Sequence, residues 1–173
     1  MFFDRGSQKE STQRLYIPNV DNGLELSDTV SGETGIKARQ VMPRFLHYCN
    51  EGDGLVVSKK IPENYLEYLK ILYGFEKLPE IFVAPNRNLT NIEVPFSILH
   101  DILGNEKLLK KFREIGAQMQ WEITPFISHR WTHWLGKRVN LPVHGVPLDQ
   151  VQAGHVVHFN DKVNFKRDCT GMH

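Results

Sequence analysis

The chain has 173 residues, 40% of them hydrophobic and 24% charged, enough for one well-buried globular domain. A formal net charge of +1 argues against a nucleic-acid binder, which would carry a basic excess or stripe. Its two cysteines, Cys49 and Cys169, are too few for a disulfide framework. No apolar run approaches membrane-span length, and Met1-Phe2-Phe3-Asp4 lacks the apolar core of a secretory signal. A soluble, cytoplasmic protein with free thiols is expected.

Residues 1–13 read as a flexible polar arm. Arg14-Leu15-Tyr16-Ile17-Pro18-Asn19-Val20 is a first buried strand, followed by a glycine- and aspartate-rich loop over 21–33. Residues 34–49 carry helical spacing through Ile36, Val41, Phe45, Leu46 and Cys49, with Pro43 forcing a kink or a later start. Leu55-Val56-Val57-Ser58 is a second strand. Pro62-Glu63 opens a helix carrying Tyr65, Leu66, Leu69 and Leu72 and ending at Gly74.

Glu80-Ile81-Phe82-Val83-Ala84-Pro85 is a third strand. A helical region then carries Ile98, Ile102, Leu108, Leu109, Phe112 and Ile115. It is broken at Gly104, recapped by Asn105 and stopped by Gly116. Trp121-Glu122-Ile123-Thr124-Pro125-Phe126-Ile127 is a fourth strand, bent at its proline. Residues 129–138 are helical and closed by Asn140 and Pro142, and Val156-Val157-His158-Phe159 is a last short strand. Strands alternating with helices predict an α/β fold: a three-layer Rossmann-like parallel sheet with helices on both faces.

Motifs that would fix a chemistry are missing from the sequence. It has no dinucleotide-binding glycine fingerprint, no Walker loop, no nucleophile elbow and no His-Glu-x-x-His pair. His129 and His133 share a helix face at i and i+4, as a metal pair would. No carboxylate or cysteine accompanies them, and rim histidines on an aromatic helix are the expected reading. His155 and His158 fall on opposite faces of a strand. Cys49 and Cys169 read as small apolar fillers without an activating neighbour. Lys107, Lys110, Lys111, Arg113 and Glu114 form a solvated helix face. In an open parallel sheet ligands settle at the carboxyl ends of strands, so the 21–33 loop, Ser58, Pro85 and Ser128 are candidate contacts. An ordinary surface connection is the competing reading of the loop.

At Asn160-Asp161-Lys162-Val163-Asn164-Phe165-Lys166 the chain resembles the opening of an ATP-grasp domain. Gly116 through Pro125-Phe126, the following helix, Leu141-Pro142-Val143 and the run up to Asn160 resemble the close of a pre-ATP-grasp domain. That is the Rossmann-like unit, similar to the N-terminal part of biotin carboxylase, that precedes the catalytic part of ATP-grasp ligases. The resemblance implies a domain over 14–159 and, over 160–173, the first helix of a truncated ATP-grasp domain. It implies that Lys162 faces the nucleotide phosphates, and a lysine in the first turn of a helix suits a polyphosphate. The competing reading is that Asn160 and Asp161 cap a surface helix and Lys162 is solvated.

The resemblance further implies an ATP-dependent ligase joining a carboxylate to an amine through an acyl-phosphate. ATP and magnesium would act only in the full-length protein, and this chain alone would not be catalytic. Expected partners are the downstream ATP-grasp domain, a small-molecule carboxylate or amine and a second copy in a homodimer. No nucleic acid and no membrane are expected. The alternative is a stand-alone, non-catalytic α/β module that binds a small ligand or a protein.

Overall fold

The computed structural model describes residues 12–20, 39–84, 97–118 and 120–149. The 21–33 loop, Pro85, His155, His158, Lys162, Cys169 and the elements expected over 156–173 lie outside the described residues.

Four strands form one sheet: β1 (Gln13–Ile17), β2 (Gly54–Val57), β3 (Glu80–Val83) and β4 (Trp121–Pro125). Their spatial order is β3-β2-β1-β4, and every pairing is parallel. Parallel neighbours need long crossovers, which here carry the helices. The first holds a 3-10 segment (Met42–Tyr48) and the second α1 (Glu63–Tyr73). The third holds α2 (Ile98–Leu103) and α3 (Glu106–Gln118), and α4 (Arg130–Val139) follows β4. With right-handed crossovers, stepping from β1 out to β3 and then back past β1 to β4 puts helices on both faces. The expected α/β Rossmann-like architecture is the observed one.

Strand residues alternate between the two faces, and both faces are buried. Leu15, Ile17, Leu55, Val56 and Ile123 are all fully buried. Each such side chain contributes about 1.5–3 kcal/mol of burial. On one face Phe82 meets Phe112 of α3 edge to face, with ring centroids 5.2 Å apart. That sheet interior reads in the sequence as near-continuous apolar runs, which is why the strands were legible.

Several local expectations needed correction. Within 34–49, residues 39–40 are α-helical and Met42–Tyr48 form a 3-10 segment, so the chain is broken near Pro43, as its lost donor requires, and continues as a tighter 3-10 turn rather than an α-helix. Along α1, Leu69 is buried and Leu72 is half exposed. Gly116 does not stop its helix, which runs on to Gln118. A Cβ on Gly116 would come 2.7 Å from Leu141 Cδ2, and one on Gly136 would come 2.5 Å from Val143 Cγ2. Both glycines are notches that admit the segment over 141–144. There the Ile123 N–H donates to the Pro142 carbonyl at 2.8 Å and the His144 N–H to the Ile123 carbonyl at 2.8 Å. A parallel bridge between Ile123 and Val143 extends the sheet beyond β4. Asn105 does cap α3, accepting from the Leu108 N–H at 3.2 Å.

Candidate ligand cleft at the carboxyl edge

Strand order reverses between β1 and β4, since the chain leaves β1 toward β2 on one side and returns to β4 on the other. Crossovers diverge at such a point and leave a crevice beyond the strand ends, the place where open α/β sheets take ligands. Register aligns Ile17 with Pro125, so the crevice is rimmed by Pro18-Asn19 on one side and by Phe126-Ile127-Ser128 on the other.

Asn19 closes the floor of the fork. Fully buried, it donates from Nδ2 to the Ile127 carbonyl at 2.8 Å and accepts at Oδ1 from the Ile127 N–H at 3.0 Å. The Phe126 N–H donates to the Ile17 carbonyl at 3.0 Å. Phe126 itself is 58% exposed and meets Phe45 of the 3-10 segment edge to face at 5.2 Å. An exposed aromatic ring over a hydrogen-bonded floor gives one apolar wall to the crevice.

Ser128 stands on the β4 side of this rim, as the strand-end rule proposed. Its Oγ accepts from the Val146 N–H at 3.2 Å. Ser58 is buried at the end of β2. It shares the carboxyl edge but is separated from Ser128 by β1, on the order of 10 Å away at the usual strand spacing. Sequence reasoning missed Asn19, whose partner is 108 residues away. Its only local signal was a polar amide directly after an apolar strand.

The two histidines of α4 do different work. His129 is the N-cap, and its Nδ1 accepts from the Trp131 N–H at 3.3 Å, doing what Ser or Asp usually does. Thr132 completes a capping box, with its Oγ1 accepting from the His129 N–H at 3.2 Å. His133 Nε2 lies 2.9 Å from the Val146 carbonyl. Among the described residues no three His, Cys, Asp or Glu side chains converge where a metal ion could sit.

Deeper in the crossovers, Arg39 donates from Nη1 to Asp101 Oδ2 at 2.6 Å, with both side chains buried. The ion pair ties the chain entering the 3-10 segment to α2. At the opposite edge of the sheet, Asp53 accepts from the Arg14 N–H at 2.9 Å and the Asn50 N–H at 2.7 Å. Burial pushes its carboxyl above the usual range despite those donors. Burial, reinforced by the Asp53 charge, pushes the Cys49 thiol up to about 12. Cys49 is therefore a packing residue, almost wholly protonated at neutral pH. In a Cys169→Ser background the chain should react with a disulfide reagent at pH 8 at least a hundredfold more slowly than a free cysteine. A rate within tenfold of the free thiol would contradict that assignment.

A family model described as "Pre ATP-grasp domain" matches residues 42–141, a span running from the 3-10 segment through α4. The chain belongs to the pre-ATP-grasp family. Among curated proteins and among solved structures nothing matches it significantly. The order β3-β2-β1-β4 with all-parallel pairing agrees with the family's Rossmann-like architecture. Among the described residues no helix is long and apolar enough to cross a membrane.

Proposed function

We propose that this pre-ATP-grasp domain is the substrate-side, non-catalytic part of an ATP-dependent ligase that joins a carboxylate to an amine. The observation that carries the reading is the family match over 42–141, on a sheet whose switch-point crevice lacks a phosphate-binding glycine loop. Such a domain contributes walls and positioning, while nucleotide chemistry belongs to a linked ATP-grasp domain. In this reading the pre-ATP-grasp unit covers 14–159, and residues from 160 onward open the catalytic domain. Phe126 at the crevice and Trp134 on α4, which is 52% exposed, are apolar surfaces that a neighbouring domain would cover.

The reaction would run through an acyl-phosphate. A substrate carboxylate oxygen attacks the γ-phosphorus of ATP, ADP leaves, and the amine then displaces phosphate from the acyl carbon. ATP and magnesium supply the phosphoryl group and its charge neutralisation. In this reading the work of the described residues is to hold the carboxylate or amine at the carboxyl edge. Lys162 is the proposed contact to the nucleotide phosphates.

The natural gene product, incubated with ATP, magnesium and a panel of small carboxylates, should release ADP and give a hydroxamate when hydroxylamine replaces the amine. The 173-residue chain alone should give neither. In the whole protein Lys162→Ala should raise the KM for ATP about tenfold or more. Absence of carboxylate-dependent ADP release from the natural gene product would sink the ligase reading. Turnover by the isolated chain would sink the non-catalytic assignment.

A further inference from the structure

Among the described residues eight large apolar side chains stand exposed, and five of them share one shoulder of the molecule. Tyr48 ends the 3-10 segment, and Tyr68, Ile71, Leu72 and Tyr73 belong to α1; they are 40 to 81% exposed. His47 ties the two elements together. Its Nδ1 lies 2.6 Å from the Tyr73 hydroxyl and its Nε2 lies 3.1 Å from the Tyr65 hydroxyl. In the neutral ring one nitrogen donates and the other accepts, so both contacts can be made at once. Tyr68 stacks on Tyr65 with ring centroids 6.4 Å apart, and Tyr48 tilts against Phe45 at 5.7 Å. Rings ordered before contact lose little freedom on binding, which suits them as anchors of an interface.

At 3.6 residues per turn, Asn64, Tyr65, Tyr68, Ile71 and Leu72 fall within about a third of the α1 circumference. Leu69 turns to the core, and Glu63, Glu67 and Lys70 fall outside the arc. A centre free of charge with charges beyond it is the anatomy of a protein interface. The five exposed side chains present on the order of 500 Å². That is near the top of the roughly 300–600 Å² reached by the largest patch on an ordinary monomer. With Phe45, Asn64 and Tyr65 added, the shoulder approaches the ~800 Å² per partner that a standard dimer contact buries.

We propose that α1 and the 3-10 segment form the face on which a second copy of this chain docks, about a two-fold axis close to Tyr68. A two-fold contact needs a surface that complements itself. Tyr68 lies midway along α1 and in the middle of its exposed arc. Two antiparallel copies of the helix therefore bring Tyr68 onto Tyr68 and set Tyr65 of each copy near Leu72 of the other. Aromatic and aliphatic partners need no charge pairing there, and the antiparallel alignment opposes the two helix dipoles. A linked catalytic domain fits this face less well. The described chain is left at Asp149, just past Leu148 in the groove beside α4, and the crossovers put α4 on the sheet face opposite α1. The pairing does not depend on the ligase reading.

Sedimentation of the 173-residue chain at about 200 μM, without ATP or substrate, should give about twice its 20.0 kDa mass. Tyr68→Glu sets two carboxylates against each other at the axis and should raise the dissociation constant at least a hundredfold. Its far-UV circular dichroism should match the parent, because the Tyr68 ring is already half in solvent. In a Cys169→Ser background, Tyr68→Cys should oxidise to a disulfide-linked dimer. Glu114→Cys, on a well-exposed position of α3 across the sheet, should stay unlinked. A 20.0 kDa species at that concentration overturns the proposal. A dimer that survives Tyr68→Glu means that the copies meet elsewhere, and overturns it too. The natural gene product carrying Tyr68→Cys should link in the same way; if it does not, another partner holds the face and the second copy is refuted. None of these readouts involves nucleotide, so a failed ligase assay leaves them intact.

Discussion

Replacing Asp101 with alanine should lower the unfolding free energy by about 3–5 kcal/mol in urea denaturation. The loss comes less from the missing attraction than from what remains. Arg39 keeps a guanidinium that is only 5% exposed, with its 2.6 Å partner gone. Its charge cannot be relieved by deprotonation. If the single variant cost under about 1 kcal/mol, the pair would have to be wetter than its burial indicates. The same experiment bears on the crevice, since Arg39 leads into the 3-10 segment whose Phe45 abuts Phe126.

Asn19→Ala should cost about 2–4 kcal/mol, because it leaves the Ile127 N–H and carbonyl unpaired in a buried fork. Asn19→Asp keeps the acceptor but sets a carboxylate oxygen against the Ile127 carbonyl. At neutral pH it should cost at least as much as the alanine. Ser128 is the residue after Ile127, so loosening the fork should also broaden its backbone amide resonance. A silent Asn19→Ala variant, within about 0.5 kcal/mol of the parent, would mean that water or a shift of β4 replaces both bonds.

Local chemistry made much of this fold legible. Val56-Val57 and Ile81-Phe82 announced buried strands, Pro62 announced a helix start, and Asn105 after Gly104 announced a fresh cap. Each of those signals acts within a few residues of itself. The features that build the crevice do not. Asn19 is paired with Ile127 across 108 residues, and Arg39 with Asp101 across 62. Neither half of either pair carries a mark of its partner. The position of Ser128 past the end of β4 follows from the strand-end rule, whereas its bond to Val146 depends on how a later segment is laid down. Pro142 hid the strand-like pairing over 141–144, since a proline in a short run argues against a central strand. At a sheet margin the objection lapses, because Pro142 serves there only as an acceptor. Gly116 misled for the opposite reason: it looked like punctuation and is a fitting surface.

The pairing of β4 with residues 141–144 has a practical meaning for anyone who excises or grafts this unit. The family match stops at 141, yet the backbone of Ile123 is satisfied by residues 142 and 144. A fragment trimmed to the matched span would lack β1, and its β4 would be left with a free amide and carbonyl at Ile123 beside a Gly136 notch that Val143 no longer fills. Such margins recruit other chains, so the trimmed piece would be prone to self-association. The smallest well-behaved unit starts before β1 and ends beyond His144, and a graft that supplies its own strand to the Gly136 notch would inherit the seal along with the sheet.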